Sequence, residues 1–153
     1  MIRVGLISDT HGLMRPEALT ALAGVAHIVH AGDIGSAEIL TQLRAIAPVT
    51  AVRGNNDKGP WAKGIAEREV VEIGGKLIYV LHDLKELDLD PTASGFAVVV
   101  TGHSHKPLIT SRDEVLYVNP GSAGPRRFKL PICLAMLEIA GDAIHAEIRE
   151  LTP

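Results

Sequence analysis

Two histidines, His103 and His105, follow directly on the apolar run 96–101 and are separated by one serine. The run is rich in β-branched valine, which favours a buried strand. In an extended chain, residues i and i+2 project to the same side, so both imidazoles are expected to face one site. Imidazole nitrogens are common ligands of transition metals, and the pair therefore predicts a metal site where a strand ends.

Five apolar segments of the chain, all predicted strands, are followed directly by side chains that can bind metal. Asp9 and His11 repeat the two-residue spacing of the histidine pair. Sites in α/β sheets form at the carboxyl ends of strands, so these side chains are expected to converge in one crevice. The seven candidate ligands are Asp9, His11, Asp33, Asn55, His82, His103 and His105.

Seven ligands exceed what one tetrahedral ion needs, and they predict two ions that share a bridging carboxylate. Asp33 is the expected bridge, because a carboxylate can span two metals and an imidazole nitrogen cannot. The mixture of imidazole, carboxylate and amide oxygen favours Mn, Fe, Ni, Co or Zn over Ca or Mg. Glycines at 32, 54 and 102 precede three of the candidates, and we expect them to allow sharp turns and close backbone approach.

The charge of such a site indicates its substrate. Two divalent ions bring about +4 and the carboxylates of Asp9 and Asp33 return about −2, so the site attracts anions such as phosphoesters. Two metals roughly 3.5–4 Å apart can generate hydroxide at neutral pH and clamp the attacking and leaving oxygens. The pattern therefore predicts hydrolysis of a small-molecule phosphoester.

The predicted elements that position these residues are alternating strands and helices in the first third of the chain and mainly strands after it. The opening predicts a βαβαβ unit with parallel strands, and the rest predicts three hairpins and one further buried strand. The predicted strands are 2–8, 26–31, 49–53 and 96–101, the helices are 15–23 and 36–46, and the hairpins are 68–81, 108–119 and 132–151. The pattern predicts a mixed α/β fold of two packed sheets with helices outside.

The composition narrows the class of protein. A chain of 153 residues fits one domain, predicted over 1–153, and its net charge of −3 gives no basic nucleic-acid footprint. Cys133 is the only cysteine, which excludes an intrachain disulfide and predicts core packing. The first apolar segment, "IRVGLIS", is too short for the apolar region of a signal peptide, and no apolar segment is long enough to span a membrane. A soluble cytoplasmic protein is therefore expected. A homo-oligomer is left open.

Six motifs in order resemble those of the calcineurin-like metallophosphoesterases, and in particular their small single-domain prokaryotic phosphodiesterase branch. They are "SDTHG", "HAGDIG", "VRGNND", "LHD", "GHSHKP" and "NPGS", and the resemblance runs from Ile2 to about Arg126. It implies a four-layer α/β/β/α sandwich of two mixed sheets flanked by helices, the metallo-dependent phosphatase fold. It also implies phosphodiester hydrolysis, in which a hydroxide bridging two metal ions attacks phosphorus in line.

The resemblance further implies an assignment of ligands and catalytic residues. One metal takes Asp9, His11, Asp33 and His105, and the other takes Asp33, Asn55, His82 and His103. Catalytic roles fall to Asn56, Asp33 and His103. Manganese is the first expectation for both ions, and nickel, iron, cobalt and zinc stay open.

Two positions depart from the family pattern. Asn56 stands where larger members have a histidine that assists the leaving group, so we expect a preference for good leaving groups. Asp83 stands where the family usually has glycine, and it either orients His82 or faces solvent. Two alternatives to the phosphodiesterase remain: a non-catalytic scaffold like the retromer subunit that shares this fold, and a phosphomonoesterase or nucleotide pyrophosphatase using the same site. The presence of all seven ligands favours an enzyme.

Residues beside the motifs carry weaker expectations. Asp57 is read as a turn residue and "NPGS" as a tight turn near the site. Arg53, Arg126 and Arg127 are candidates for binding phosphate oxygens, and a solvated basic edge is the alternative for Arg126 and Arg127. Trp61 is a lid, a subunit contact or, by default, a packing residue, and the loop 58–67 around it shows no clear pattern. The three other histidines, His27, His30 and His145, are expected to be structural or exposed.

Overall fold

The computed structural model describes residues 1–152, which form ten strands, two α-helices and two 3₁₀ helices. The strands are β1 Ile2–Ile7, β2 His27–His30, β3 Val49–Ala51, β4 Arg68–Ile73, β5 Lys76–Leu81, β6 Phe96–Val100, β7 Leu108–Arg112, β8 Val115–Asn119, β9 Cys133–Ala140 and β10 Ala143–Glu150. The α-helices are α1 Pro16–Leu22 and α2 Ala37–Arg44, and the 3₁₀ helices are Pro60–Ala62 and Leu84–Glu86. Every predicted strand and hairpin is present.

The strands form two mixed five-stranded sheets. Sheet A has the order β10-β9-β1-β2-β3, and sheet B has the order β4-β5-β6-β8-β7. In sheet A, β1, β2 and β3 run parallel, and in sheet B, β5, β6 and β8 run parallel. The carboxyl ends of the strands that precede the candidate ligands therefore meet at one edge of each sheet.

Apolar side chains fill the space between the layers. Alternate residues of both sheets, such as Leu6, Val80 and Val100, form a buried cluster between the sheets. The other face of sheet A packs against the helices through residues such as Leu22 and Leu43. Each fully buried Val, Leu or Ile contributes about 1.5–3 kcal/mol relative to exposure, so these two clusters hold the sandwich together.

The outer face of sheet B has a thinner cover. A small cluster of Tyr79, Leu81 and Val99 packs there against Leu87 and Leu89, which follow the 3₁₀ helix Leu84–Glu86. The two mixed sheets confirm the predicted α/β sandwich. Its fourth layer, however, is a 3₁₀ helix with its loop, and no α-helix among residues 1–152 covers this face.

The helices begin near the predicted residues and are slightly shorter. Ser36 occupies the N-cap position of α2 with extended backbone, but its side chain forms no capping hydrogen bond. Cys133 is buried and its thiol contacts the carbonyl of Pro120 at 3.2 Å, which confirms its place in the core. Burial raises the pKa of this thiol to about 11. Within the described chain, both α-helices lack the length and apolar character needed to cross a membrane.

Candidate metal centre

The seven predicted ligands lie in loops that start where β1, β2, β3, β5 and β6 end. The loops after β1 and β2 continue the pairing of the two strands beyond the sheet. The amide of Asp9 donates to the carbonyl of Gly32 at 3.0 Å, and the amide of His11 donates to the carbonyl of Asp33 at 2.9 Å. These bonds fix the backbone from which the first three candidates project.

The backbone at five of the candidates is left-handed. The φ angles are 56° at Asp9, 46° at His11, 55° at Asp33, 70° at His103 and 63° at His105. The expectation that each spaced pair projects from an extended chain is therefore wrong, because a positive φ breaks the alternation of a strand. His103 and His105 lie in the same centre, but their side chains diverge into two different clusters.

Three glycines allow the loops to approach one another, as predicted. A Cβ on Gly32 would lie 2.7 Å from His82 Nδ1, and a Cβ on Gly102 would lie 2.7 Å from Asp9 Oδ2. A Cβ on Gly54 would collide with the backbone nitrogen and the carboxylate of Asp33. Only glycine leaves room for these contacts without displacing a candidate ligand.

Six of the seven candidates form two clusters whose ligand atoms lie within 4.8 Å of one another. Asp9, His11 and His105 make up the first cluster, and Asp33, His82 and His103 make up the second. Asp33 reaches both, since its Oδ2 lies 3.2 Å from His82 Nε2 and 3.8 Å from His11 Nε2.

Each carboxylate is anchored to a backbone amide through one of its oxygens. Oδ2 of Asp9 accepts hydrogen bonds from the hydroxyl of Ser8 at 2.7 Å and the amide of His103 at 3.1 Å. Oδ1 of Asp33 accepts one from the amide of Asn56 at 2.9 Å. The other oxygen of each group, Oδ1 of Asp9 and Oδ2 of Asp33, faces the histidine nitrogens.

Four buried side-chain atoms have no hydrogen-bond partner among the described residues, and all four belong to the two clusters. They are Asp9 Oδ1, His11 Nε2, His82 Nε2 and His105 Nδ1. A buried polar atom without a partner costs about 1–3 kcal/mol, so such a concentration in one place calls for a binding partner. Oxygen and imidazole nitrogen are donors suited to a divalent transition metal, and the residues fit such ions.

His82 and Asp33 have shifted pKa values. Burial by itself lowers the pKa of His82, but Asp33, Asp9 and the carbonyl of Ala31 outweigh it and raise the value to about 8. Burial by itself raises the pKa of Asp33, but His82, the amide of Asn56 and His11 outweigh it and lower the value to about 2. Both shifts favour positive charge between the two side chains, which is the charge that a bound cation supplies.

A family model described as the calcineurin-like phosphoesterase superfamily domain matches residues 2–142. The chain belongs to the calcineurin-like phosphoesterase superfamily. A probable metallophosphoesterase of Methanothermobacter thermautotrophicus is 34% identical, over 95% of this chain and 90% of its own length. A phosphodiesterase of Methanocaldococcus jannaschii is 27% identical, over 78% of this chain and 83% of its own length.

The fold recurs in solved structures. Wild-type Vps29 from Entamoeba histolytica, crystallised in complex with zinc, is similar with a TM-score of 0.76 and 23% identity over 97% of this chain and 99% of that chain. Members of the calcineurin-like family depend on divalent metals, which agrees with the two clusters of donor atoms.

The two asparagines of the family's third motif occupy different positions. Asn55 is exposed and lines a cleft of about 170 Å³ with His82 and His103, on the side of the second cluster. Asn56 lies against Asp33, and its side-chain amide donates to Asp33 Oδ2 at 3.2 Å. Asn55 thus lies beside the histidines with which the resemblance groups it.

Asp83, the second departure from the family pattern, is partly exposed and does not orient His82. It caps the 3₁₀ helix by accepting from the amide of Lys85 at 3.0 Å, and its Oδ2 lies 3.8 Å from His103 Nε2. His82 is oriented instead by the carbonyl of Ala31, to which its Nδ1 donates at 2.7 Å. That bond leaves Nε2 as the nitrogen that faces Asp33 and Asp9.

His30 is a structural residue, as expected. Its Nδ1 accepts from the amide of Gly32 at 3.1 Å, so its Nε2 carries the proton and donates to the hydroxyl of Thr10 at 3.0 Å. That hydroxyl donates to the carbonyl of Ile34 at 2.8 Å. Burial lowers the pKa of His30 to about 4, and the neutral ring joins the loops after β1 and β2.

The "NPGS" segment also connects two loops of the site. The side-chain amide of Asn119 donates to the carbonyl of Gly102 at 3.0 Å, and the hydroxyl of Ser122 donates to the carbonyl of Asp9 at 3.0 Å. It therefore joins the loop that carries the two histidines to the loop that carries Asp9.

The arginines and Trp61 separate into different environments. Arg53 forms an ion pair with Glu67 at 3.0 Å. Arg126 and Arg127 line a cleft of about 410 Å³ on the side of the first cluster, together with His11 and His105. Trp61 packs against the core between sheet A and the helices, which confirms the packing role.

Asp57 has a structural role that the sequence did not predict. Its buried carboxylate accepts hydrogen bonds from the amides of Ile34 at 3.1 Å, Gly35 at 3.0 Å and Gly54 at 2.9 Å. It thereby ties the loop of Asp33 to the loop of Asn55. An aspartate among asparagines is typical of a plain turn, and nothing local in the sequence signals the contact with residues 34 and 35.

Replacing Asp57 by alanine is expected to lower the free energy of unfolding by about 3 kcal/mol, because three buried amides lose a charged acceptor. Urea denaturation of the metal-free protein measures the change. Asp88→Ala is the matched control, since this carboxylate is exposed and only approaches Arg68 at 3.5 Å, and its loss is expected to cost less than about 0.5 kcal/mol. Equal stability losses in the two variants would contradict the role of Asp57.

Proposed function

We propose that the protein is a divalent-metal-dependent phosphodiesterase that holds two ions in the centre described above. The observation that carries the proposal is the set of four buried, unpartnered ligand atoms within two clusters that Asp33 joins. The first ion is assigned to Asp9, His11, Asp33 and His105, and the second to Asp33, Asn55, His82 and His103. Both sheets contribute ligands, so the whole chain acts as one domain.

The ions, when bound, supply positive charge that binds the phosphoester anion, lowers the pKa of a water and neutralises charge on the departing oxygen. The chain orients the groups that hold them. Asp9 and Asp33 each have one oxygen anchored by a backbone amide, and each directs its other oxygen into the centre. His103 is 46% exposed, more than any other residue of the two clusters, and therefore lies where a substrate enters.

Three observations support a phosphodiesterase. Six of the seven predicted ligands lie in two clusters and Asn55 lines a cleft beside the second one, an arrangement that a non-catalytic scaffold does not require. A relative that covers most of the chain is named a phosphodiesterase, and this name supports the diester as the substrate class. The cleft beside Arg126 and Arg127 also offers cationic groups to a phosphoryl oxygen next to the first cluster.

The proposal is tested by the dependence of hydrolysis on metal. The chelator-treated protein is expected to be inactive on bis(para-nitrophenyl) phosphate, and Mn²⁺ is expected to restore release of para-nitrophenolate. Ni²⁺, Fe²⁺, Co²⁺ and Zn²⁺ are compared in parallel, and para-nitrophenyl phosphate measures monoesterase activity. Turnover that responds neither to the chelator nor to added metal would overturn the assignment, and faster turnover of the monoester would overturn the choice of diester.

Asn56 determines which leaving groups the site accepts. An amide can donate a hydrogen bond to a phosphoryl oxygen, but it has no acidic proton for the departing alkoxide. The leaving group must then depart as a stable anion. Asn56→His is therefore expected to raise kcat/KM for alkyl diesters about tenfold or more, with a smaller effect on aryl diesters.

The measurement is the slope of log kcat/KM against the pKa of the leaving group, which Asn56→His is expected to flatten. Asn56→Gln is the matched control, because it keeps the amide and adds only length. An equal slope in all three proteins would show that Asn56 does not set the leaving-group preference.

A further inference from the structure

A cavity of about 530 Å³ adjoins the metal centre on the side of the second cluster. It shares Asp83, Gly102 and His103 with the edge of that centre. Cavities of several hundred cubic ångströms accommodate organic ligands, so this one offers far more room than a phosphoryl group needs. Its position next to His103 points to the part of a substrate that extends away from phosphorus.

One face of the β7–β8 hairpin forms the floor of this cavity. Every second residue of β7 lines it, namely Leu108, Thr110 and Arg112. On β8, Asn119 pairs with Leu108 and Tyr117 pairs with Thr110, and both also line the cavity. Asn119 also bonds the carbonyl of Gly102, so the Leu108 end lies at the metal centre. At about 3.3 Å per residue, Arg112 lies about 13 Å farther along the strand.

The wall of the cavity is mainly apolar and partly open to solvent. Leu108 is 57% exposed and Leu84 is 40% exposed, and both line it. The floor belongs to the outer face of sheet B, where a 3₁₀ helix and its loop stand in place of a full helical layer. Exposed apolar surface in a concave site favours an apolar ligand.

Three cationic residues, Lys85, Lys106 and Arg112, line the cavity, and Arg112 lies at the end of β7 farthest from the metal centre. The guanidinium of Arg112 lies 5.4 Å from the centroid of the Tyr117 ring, a distance at which a cation–π interaction holds it. The acidic residues of the adjacent turn, Asp113 and Glu114, line a different cleft. Arg112 is therefore placed to bind an anionic group at the end of an apolar ligand.

We propose that this cavity binds one ester arm of the substrate, and that the arm is an extended apolar group with a terminal anion held by Arg112. The inference rests on the proposed phosphodiesterase activity and narrows its substrate class. The other arm carries the leaving group, which departs from the metal centre.

The test compares three para-nitrophenyl diesters that differ only in the second arm: methyl, n-octyl and 8-carboxyoctyl. With Mn²⁺, kcat/KM is expected to rise about tenfold or more from methyl to octyl and about tenfold again with the carboxylate. Arg112→Gln is expected to remove the second increase. Arg149→Gln, on β10 of the other sheet, is the matched control and is expected to keep the ratio of carboxyoctyl to octyl.

A second readout needs neither metal nor turnover. In the chelator-treated protein, octane-1-sulfonate is expected to shift the amide NMR signals of Leu108, Thr110 and Tyr117, and methanesulfonate is not. Leu108→Ser is expected to weaken octane-1-sulfonate binding several-fold, and Arg112→Gln likewise.

The two readouts separate the two proposals. Hydrolysis at equal kcat/KM for all three diesters, or octane-1-sulfonate shifts that avoid the cavity, would overturn the arm site and leave the phosphodiesterase standing. The absence of metal-dependent hydrolysis for every diester would overturn the phosphodiesterase itself.

Discussion

Replacing Asp33 by asparagine is expected to lower kcat/KM for an aryl phosphodiester by about a thousandfold. Asparagine keeps the shape of the side chain and can still accept from the amide of Asn56, but it loses the negative charge. Oδ2 of Asp33 lies within 4 Å of His82 Nε2 and of His11 Nε2, one from each cluster. The substitution therefore removes a ligand from both proposed ions at once.

The measurement is kcat/KM with Mn²⁺ together with the number of bound ions per chain, which is expected to fall below the proposed two. Asp142→Asn is the matched control, because this carboxylate is fully exposed in the turn after β9 and meets only Lys76 at 3.4 Å. Folding of Asp33→Asn is checked by circular dichroism. A folded variant that keeps two ions and wild-type turnover would refute the bridging role.

The strands were predictable because they have strong local signals. Runs of β-branched and apolar residues mark β1, β5 and β6, and the paired glycines 74 and 75 mark the hairpin between β4 and β5. Both glycines have positive φ, as that turn requires. Since a parallel strand ends where its chain leaves the sheet, the positions of the candidate ligands followed from the strands alone.

The backbone beyond the strand ends was not predictable from periodicity. The left-handed φ of His103 and His105 sends their side chains to different clusters, which an extended chain would not do. Aspartate and histidine adopt this region more readily than most residues, but their type alone does not show when they do. Only the family resemblance divided the two histidines between two ions.

Long-range contacts within the site were also beyond the sequence. Asp57 reaches the amides of Ile34 and Gly35 across 22 or more residues of chain, and Asp83 lies beside His103 although His82 is its neighbour in sequence. Such contacts depend on how two loops pack, and no local pattern encodes them. The strand ends thus predicted where the candidate ligands lie. The contacts between loops that support these ligands could be identified only from the three-dimensional structure.

Left-handed backbone is concentrated at the site. Of the eight residues other than glycine with positive φ in the described chain, five are candidate ligands. Such conformations persist only where the surroundings hold them, and they cluster at functional sites. Here the loop-to-loop bonds of Asp9 with Gly32 and of His11 with Asp33 hold the loops after β1 and β2, and the glycines between the loops leave room for this approach.

Gly54→Ala is expected to test this packing with the smallest possible change. The new methyl group would collide with the carboxylate and the backbone nitrogen of Asp33. The backbone of Asp33 cannot move freely, because its carbonyl accepts from the amide of His11. We expect kcat/KM to fall about a hundredfold and the free energy of unfolding to fall by about 1–3 kcal/mol.

Gly64→Ala supplies the matched control for the same substitution. No atom lies within 4 Å of the Cβ that it would add, and its φ is outside the left-handed region. Its free energy of unfolding is expected to change by less than about 0.5 kcal/mol and its turnover to stay at the wild-type level. Because both variants add one methyl group, a difference between them isolates the contact with Asp33. Equal activity in Gly54→Ala and Gly64→Ala would mean that Asp33 tolerates displacement, and the proposed bridge between the two ions would then fail.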